Sequence, residues 1–168
     1  MRILGIDPGS RITGYGVIDS DGKRSRHIDS GCVLIETGLL ADKLGVIFTE
    51  IERIVILHRP QVASVEQVFV SRNVASALKL GHARGAAICA AVHHGLTISE
   101  YSPRTVKQAV VGSGAADKQQ IQHMVSRLLG ISHALRADAA DALAVAICHA
   151  HSGAVLQCLP KQIYGRRR

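Results

Sequence analysis

Aromatic residues are scarce in this sequence: they make up 3% of its 168 residues, and tryptophan is absent. Because 47% of the residues are nevertheless hydrophobic, the core must consist of aliphatic side chains and alanine. The sequence has no apolar run of membrane-spanning length, and Met1-Arg2-Ile3 leads directly into folded structure. We therefore expect neither a membrane anchor nor a signal peptide, and we expect a cytoplasmic protein.

Cysteine is also rare, and its spacing excludes the common cysteine motifs. No two of the four cysteines are separated as C-x-x-C; they are Cys32, Cys89, Cys148 and Cys158. This scatter favours reduced core side chains over a disulfide framework or a zinc site. The pairs His93-His94 and His149-x-His151 need no metal either, because the C-terminus of a helix favours cationic histidine.

Positive charge predominates, since 20 lysines and arginines against 13 acidic residues give a net charge of +7. A basic domain attracts polyanions such as nucleic acid. Charge alone does not assign such a partner, because many basic domains bind no polyanion. The motifs must therefore decide the function.

The first 35 residues predict a three-stranded antiparallel meander. An apolar run ends at Asp7, and the following Pro8-Gly9 is a turn signal. Asp21-Gly22 is typical of a hairpin turn, which here would join a second strand over 13–19 to a third over 27–35.

Beyond the meander, strands alternate with helices. Helices are predicted over 39–58, 71–94, 103–111, 117–129 and 137–151, and strands over 62–66 and 96–101. This order predicts an α/β fold with a mixed sheet and helices on both of its faces. We expect one domain over residues 1–151, followed by a basic, poorly ordered tail over residues 152–168.

The helix predicted over 71–94 contains Gly81 and Gly85, and each costs about 1 kcal/mol relative to alanine in a helix interior. Such glycines are expected where another backbone approaches closely. That backbone belongs either to a second copy of the chain or to the protein's own sheet. The sequence does not distinguish the two.

Four of the 13 acidic residues lie at the ends of otherwise apolar elements, namely Asp7, Glu66, Asp138 and Asp141. Asp7 and Glu66 end predicted strands, whereas Asp138 and Asp141 share one face of the last helix in its first turn. Ligands collect at the carboxyl ends of strands in such sheets, so we expect Asp7 and Glu66 to be neighbours. Taken alone, Asp138 could be a helix cap and Asp141 a surface acid stabilised by the helix dipole.

Gathering four acids in one site requires a counter-charge. Two carboxylates about 4 Å apart repel each other by about 4 kcal/mol at an effective dielectric constant of about 20. Mg²⁺ and Mn²⁺ prefer hard oxygen ligands, and two such ions would neutralise four carboxylates. In a basic protein this predicts phosphodiester cleavage, in which one ion activates the attacking water and the other stabilises the leaving 3′ oxygen.

The sequence motifs follow one another in the order and spacing of a known family. They are Gly5-Ile6-Asp7-Pro8-Gly9-Ser10, Thr13-Gly14-Tyr15-Gly16, Glu66-Gln67-Val68-Phe69, Ala77-Leu78-Lys79-Leu80-Gly81 with Ala83-Arg84-Gly85, and Ala137-Asp138-Ala139-Ala140-Asp141-Ala142. From about residue 2 to residue 151, the chain closely resembles the RuvC family. This family comprises bacterial Holliday-junction resolvases of the RNase H-like superfamily.

The resemblance implies a five-stranded mixed sheet of RNase H-like fold and a homodimer that resolves four-way DNA junctions during homologous recombination and DNA repair. It implies two symmetric nicks that depend on Mg²⁺, with Mn²⁺ as a substitute and two ions in each active site. Asp7, Glu66, Asp138 and Asp141 would be the metal ligands and the catalytic residues. RuvC enzymes prefer short T-containing sequences at the cut and work beside the RuvA–RuvB branch-migration complex.

Further residues resemble DNA-contacting positions of the family: Phe69, Arg72, Lys107 and Lys118. Phe69 would stack on a junction base, which is worth about 1–3 kcal/mol per base, unless it is a core side chain. The two lysines would contact DNA, unless they are solvated surface residues. The final Arg166-Arg167-Arg168 is expected to be a solvated or non-specific DNA-contacting end.

Two other functions share some of these features. Actin-like ATPases begin with a similar strand and D-x-G turn, but that fold needs a duplicated second half for which 168 residues leave no room. A catalytically inactive junction-binding module would benefit from losing the four acids. Their presence therefore favours an enzyme.

Overall fold

The structure is a computed structural model, and it describes residues 1–36, 38–68 and 73–158, with the backbone alone over 153–158. Within these ranges the chain forms five strands and five helices. The strands are β1 (Arg2–Asp7), β2 (Ile12–Ser20), β3 (Ser25–Leu34), β4 (Val62–Glu66) and β5 (Thr97–Tyr101). The helices are α1 (Leu40–His58), α2 (Val74–His93), α3 (Pro103–Val111), α4 (Lys118–Leu129) and α5 (Ala137–Cys158).

The strands form one mixed sheet in the order β3-β2-β1-β4-β5. The first three are antiparallel neighbours, which confirms the predicted meander. After the helical crossover through α1, β4 pairs parallel to β1, and β5 pairs parallel to β4. Strand β1 therefore lies at the centre of the sheet, and a strand covered on both faces is expected to be a continuous apolar run.

Helices cover both faces of the sheet, as the sequence predicted. Ile3 of β1 packs in a core shared with α3, α4 and α5. Leu4 and Ile6 of the same strand pack in a second core shared with α1 and α2. The alternation of these side chains across β1 divides the interior into two apolar layers.

Helix α5 lies almost in backbone contact with the sheet. A Cβ atom on Gly5 would overlap the carbonyl oxygen of Ala142, and one on Gly14 would overlap the carbonyl oxygen of Asp138. Glycine is required at both positions because no side chain fits between helix and strand. The alanine-rich sequence of α5 has the same cause, since the residues from Ala142 to Cys148 are all buried.

Several sequence-based expectations need correction. Helix α5 continues to Cys158 instead of ending at His151, so the helix enters the segment that we expected to be a poorly ordered tail. Residues 159–168, with the three terminal arginines, lie outside the described residues. No atom of the described residues lies within 4 Å of a Cβ built on Gly81 or Gly85, so, of the two alternatives that the sequence left open, close packing on the protein's own sheet is not observed.

The structure also tests the expectations for the cysteines and for membrane-spanning segments. Cys32, Cys89 and Cys148 are free, but only Cys148 is buried, and Cys89 is exposed instead of belonging to the core. None of the described helices is both long enough and apolar enough to cross a membrane.

We expect Gly5→Ala to destabilise the fold, because the new methyl group would meet the backbone of α5, which cannot move aside as a side chain does. Overpacking of this kind typically costs about 1–3 kcal/mol. The matched control is Gly45→Ala in α1, where a Cβ meets nothing within 4 Å. The control should stabilise the protein by about 0.5–1 kcal/mol. Denaturant unfolding checks both, and equal effects would contradict the proposed contact.

Candidate active site

Strand pairing places two of the four acids at one edge of the sheet. Asp7 is the last residue of β1 and Glu66 is the last residue of β4, and these strands run parallel with Ile6 opposite Val65. The two acids therefore leave the sheet at neighbouring carboxyl ends, as the sequence predicted. In such sheets this edge is where ligands bind.

The first turn of α5 brings the other two acids to the same edge. Gly14 pairs with Asp7 across β1 and β2, and the backbone of Asp138 lies against Gly14. Asp141 follows one helical turn later, so both side chains point from the helix terminus towards the strand ends. Both are half-buried, and Asp138 lies where the helix dipole favours a negative charge.

The electrostatics of the site confirm that the four carboxylates interact. The pKa of Asp7 is raised to about 8, chiefly by burial and in addition by the charges of Glu66, Asp141 and Asp138. The pKa of Glu66 is raised by burial and then by Asp141. The pKa of Asp141 is raised by burial, and Asp138 adds to this effect. Each ionised acid thus makes the next one harder to ionise.

The carboxylates form an open group. In the described part of the chain, no three of the four acids have oxygen atoms that all lie within 4.8 Å of one another. The four carboxylates therefore do not converge on a single point, and they interact through space in a partly buried site. Such a group gains most from cations that lie between its members.

Two lysines lie beside the acids and partly offset their repulsion. Lys118, the first residue of α4, has its Nζ 3.5 Å from Oδ2 of Asp141. Lys118 and Lys107 both lower the pKa values of Glu66 and Asp141. The Lys118 side chain is 81% exposed, so this ion pair contributes little to stability and leaves the ammonium group accessible to a ligand.

Arg84 is a site-supporting residue that the sequence did not identify as such. Its Nε donates a hydrogen bond of 3.4 Å to the carbonyl oxygen of Glu66, and its guanidinium group lies 2.7 Å from the carboxylate of Glu100. Arg84 thereby ties α2 to the ends of β4 and β5. Its only sequence signal was its place in the Ala83-Arg84-Gly85 motif.

Thr13 fixes the turn after Asp7. This residue belongs to the Thr13-Gly14-Tyr15-Gly16 motif, but the sequence did not indicate its role. The Thr13 hydroxyl donates to the carbonyl oxygen of Gly9 and accepts from its backbone N–H. The hydroxyl therefore closes the loop between β1 and β2.

Phe69 and Arg72, which we predicted to contact DNA, lie outside the described residues.

A five-stranded mixed sheet in this order, with helices on both faces and acids at the ends of β1 and β4, defines an RNase H-like protein. The sequence profile described as crossover junction endodeoxyribonuclease RuvC matches residues 3–149. The relative of that name from Marinobacter nauticus is 56% identical, over 89% of this chain and 85% of its own length. The relative of the same name from Acinetobacter baumannii is 53% identical, over 99% of this chain and 95% of its own length.

Solved structures agree with the sequence comparison. Thermus thermophilus RuvC in complex with a Holliday junction substrate superposes with a TM-score of 0.87 at 34% identity, over 92% of this chain and 96% of that one. The yeast mitochondrial Holliday junction resolvase Ydc2 shares the fold alone, with a TM-score of 0.67 at 11% identity. This chain belongs to the RuvC family of crossover junction endodeoxyribonucleases.

The raised pKa of Asp7 predicts an unusual pH dependence of stability in the presence of a chelator. The folded chain holds a proton on Asp7 up to about pH 8, whereas an unfolded chain releases it near pH 3.9. Because the folded state binds more protons between these values, the free energy of unfolding should fall as the pH rises from about 4 to about 8.

Asp7→Asn should remove much of this fall. A one-unit change in pKa corresponds to about 1.4 kcal/mol, so the variant should be more stable than the parent at pH 8 by at least about that amount. For a chain of this length, the thermal midpoint should rise by about 2–4 °C for each kcal/mol. Asp42→Asn, at an exposed position in α1, should leave the pH profile of the parent unchanged. If the parent and Asp7→Asn showed the same dependence of stability on pH, the claim that the Asp7 carboxylate is buried and repelled by its neighbours would be contradicted.

Proposed function

We propose that this protein resolves four-way DNA junctions by making two symmetric nicks in homologous recombination and DNA repair. The observation that carries the proposal is the convergence of Asp7, Glu66, Asp138 and Asp141 at one sheet edge in a protein with a net charge of +7. A protein that only bound DNA would gain from replacing these acids, because they repel phosphates. Their role is therefore chemical.

The chemistry of the donor set supports divalent cations of the Mg²⁺ type as cofactors. All four groups are carboxylates, and hard oxygen ligands suit Mg²⁺ and Mn²⁺. The pKa values of Asp7, Glu66 and Asp141 are raised by burial and by mutual repulsion, and bound cations would relieve both effects. When bound, two ions supply an activated water and stabilise the leaving 3′ oxygen.

The chain's own residues divide the remaining work. Asp7 interacts with each of the other three acids, so it would be the central residue of the group that holds the cations. Asp138 and Asp141 would contribute carboxylates from α5, and Glu66 would contribute one from β4. Lys118 and Lys107 lie close enough to Glu66 and Asp141 to influence their pKa values, and they are the proposed ligands of the phosphates beside the cleaved bond. Phe69 and Arg72 are proposed to contact an unpaired junction base and its backbone, as the family resemblance implies.

A symmetric pair of nicks requires two such sites, and helix α2 supports a homodimer. Its open face carries a stripe with spacings of four, three, four and seven residues: Val74, Leu78, Gly81, Gly85 and Val92. The three large side chains in this stripe are exposed, and the two glycines have open space above them. A second copy of the chain, related by a two-fold axis, would cover the stripe. Cooperation with a RuvA–RuvB complex and a cytoplasmic location complete the proposal.

We expect Asp7→Asn and Asp141→Asn to bind a synthetic four-way junction and to fail to cut it. Each variant keeps the shape of the side chain and loses the charge that holds a cation, so the nicking rate in Mg²⁺ should fall by about 100-fold or more. Gel-shift and single-turnover nicking assays on the same junction measure the two properties separately. Asp42→Asn is the matched control and should nick at the parental rate.

The outcome that would remove either acid from the mechanism is parental nicking by its variant. Loss of junction binding together with nicking, accompanied by an altered circular dichroism spectrum, would instead indicate a folding defect. Strand-specific labels in the same assay report whether the parent cuts two strands at symmetric positions, as two identical sites require.

Lys107→Ala and Lys118→Ala should weaken junction binding in a salt-dependent manner. Each phosphate contact that is lost should reduce the slope of log affinity against log salt by about 0.9. Lys23→Ala is the matched control, because Lys23 is exposed in the turn between β2 and β3, at the opposite end of the sheet from Asp7. A slope unchanged in both variants would assign the two lysines to the solvated surface.

A further inference from the structure

A second group of metal-ligating side chains lies away from the acids. Glu52 belongs to α1, His93 ends α2, and His94 is the capping residue that follows. Their donor atoms all lie within 4.8 Å of one another, and no other group of three in the described part of the chain meets this condition. The two histidines are adjacent in sequence, but Glu52 joins them only through the packing of α1 against α2.

The separation of two of these donors already suits one ion. Oε1 of Glu52 lies 3.0 Å from Nε2 of His94. Two ligand atoms that are each about 2.1 Å from a metal, at angles between about 90° and 110°, lie about 3.0–3.4 Å apart. His93 is exposed, and its donor atom already lies within 4.8 Å of those of Glu52 and His94, so a small movement of its ring would bring it to the same ion.

The surroundings of the group favour a defined site over a loose set of side chains. The side chains of Glu52 and His94 are only 29% and 28% exposed. The centroids of the Phe48 and His93 rings lie 6.1 Å apart. The His93 and His94 rings meet edge to face, with their centroids 5.2 Å apart. These contacts restrict the orientations that the three donors adopt, which reduces the entropy lost on binding.

Contrary to the expectation from the sequence that His93 and His94 need no metal, we propose that Glu52, His93 and His94 bind a divalent transition-metal ion such as Zn²⁺ or Cu²⁺. Imidazole nitrogen selects Zn²⁺, Cu²⁺ and Ni²⁺ over Mg²⁺, so this site and the all-carboxylate site differ in the ions they take. Three protein ligands leave at least one position to water, so the site is open and not a closed structural centre.

This metal site and the acid cluster lie at opposite ends of the parallel strands. His94 comes shortly before Thr97, which pairs with Val62 at the amino end of β4. Glu66 is at the carboxyl end of β4, roughly 13 Å away along the strand at about 3.3 Å per residue. The ion would join α1 to the C-terminus of α2, away from the acid cluster. Its expected effect is therefore on stability, through preferential binding to the folded state.

Electron paramagnetic resonance with Cu²⁺ tests the proposal directly, on the full chain without a histidine tag and in excess Mg²⁺. Two imidazole ligands produce nitrogen hyperfine couplings, whereas an ion at the acid cluster has oxygen ligands only. We expect couplings from two nitrogens in the parent. His93→Gln and His94→Gln should each lose one nitrogen and weaken Zn²⁺ binding, measured by calorimetry, about tenfold or more.

Two further variants separate the metal site from a simple ion pair. Glu52→Gln keeps the shape of the side chain and a hydrogen-bond acceptor but removes the carboxylate, so it should also weaken Zn²⁺ binding. His82→Gln changes an exposed histidine on α2 that lies outside the group, and it should bind Zn²⁺ as the parent does. Zn²⁺ should raise the thermal midpoint of the parent and of His82→Gln more than that of the other three variants.

Two results would overturn the proposal. An oxygen-only spectrum in the parent would place the ion at the carboxylates. Equal Zn²⁺ affinity in His82→Gln and in the variants of Glu52, His93 and His94 would leave the Glu52–His94 contact as an ion pair without a metal-binding role.

Discussion

The approach of α5 to the backbone of β1 and β2 determines where the acids of this protein meet. A helix normally packs on a sheet through a layer of side chains, but here Gly5 and Gly14 remove that layer. The carbonyl oxygen of Asp138 consequently lies against the strand residue that pairs with Asp7. The geometry of the site is thus set by backbone contact, which varies much less than a contact between flexible side chains.

This arrangement of buried, mutually repelling acids costs stability. Burial and mutual repulsion raise the pKa values of Asp7, Glu66 and Asp141, so the fold makes each of these groups harder to ionise than it is in water. Lys118 offsets the repulsion only partly, because its exposed ammonium group is strongly screened. An alanine-rich helix and an aliphatic core supply the compensating burial, in a sequence that is 47% hydrophobic and 3% aromatic.

The strands, the helices and the positions of the acids at their ends could be predicted because local sequence specifies them. The same reason explains which features could not be predicted. The strand ending at Asp7 is a short apolar run because it is buried on both faces, and the turn that follows it is specified locally by Pro8-Gly9. Contacts between distant elements carry no such local signal. The bonds of Arg84 to β4 and β5, and the meeting of Glu52 with His94, depend on how α2 is placed. The exposure of Cys89 depends on which face of α2 is buried, and the spacing of cysteines does not encode that.

Helix α2 links features that the sequence presents separately. One face buries Ala83, Ala87, Ala90 and Ala91 against α1 and the sheet, and these small side chains keep the helix close to both. Arg84 projects from the same helix to the end of β4, directly beside Gly85 on the open face. A partner seated on the open stripe would therefore contact the residue next to the one that positions Glu66. A subunit contact at this stripe would fix the distance between the two acid clusters, because helix α2 of each copy connects the contact to its own cluster. Symmetric cutting of two strands depends on that distance.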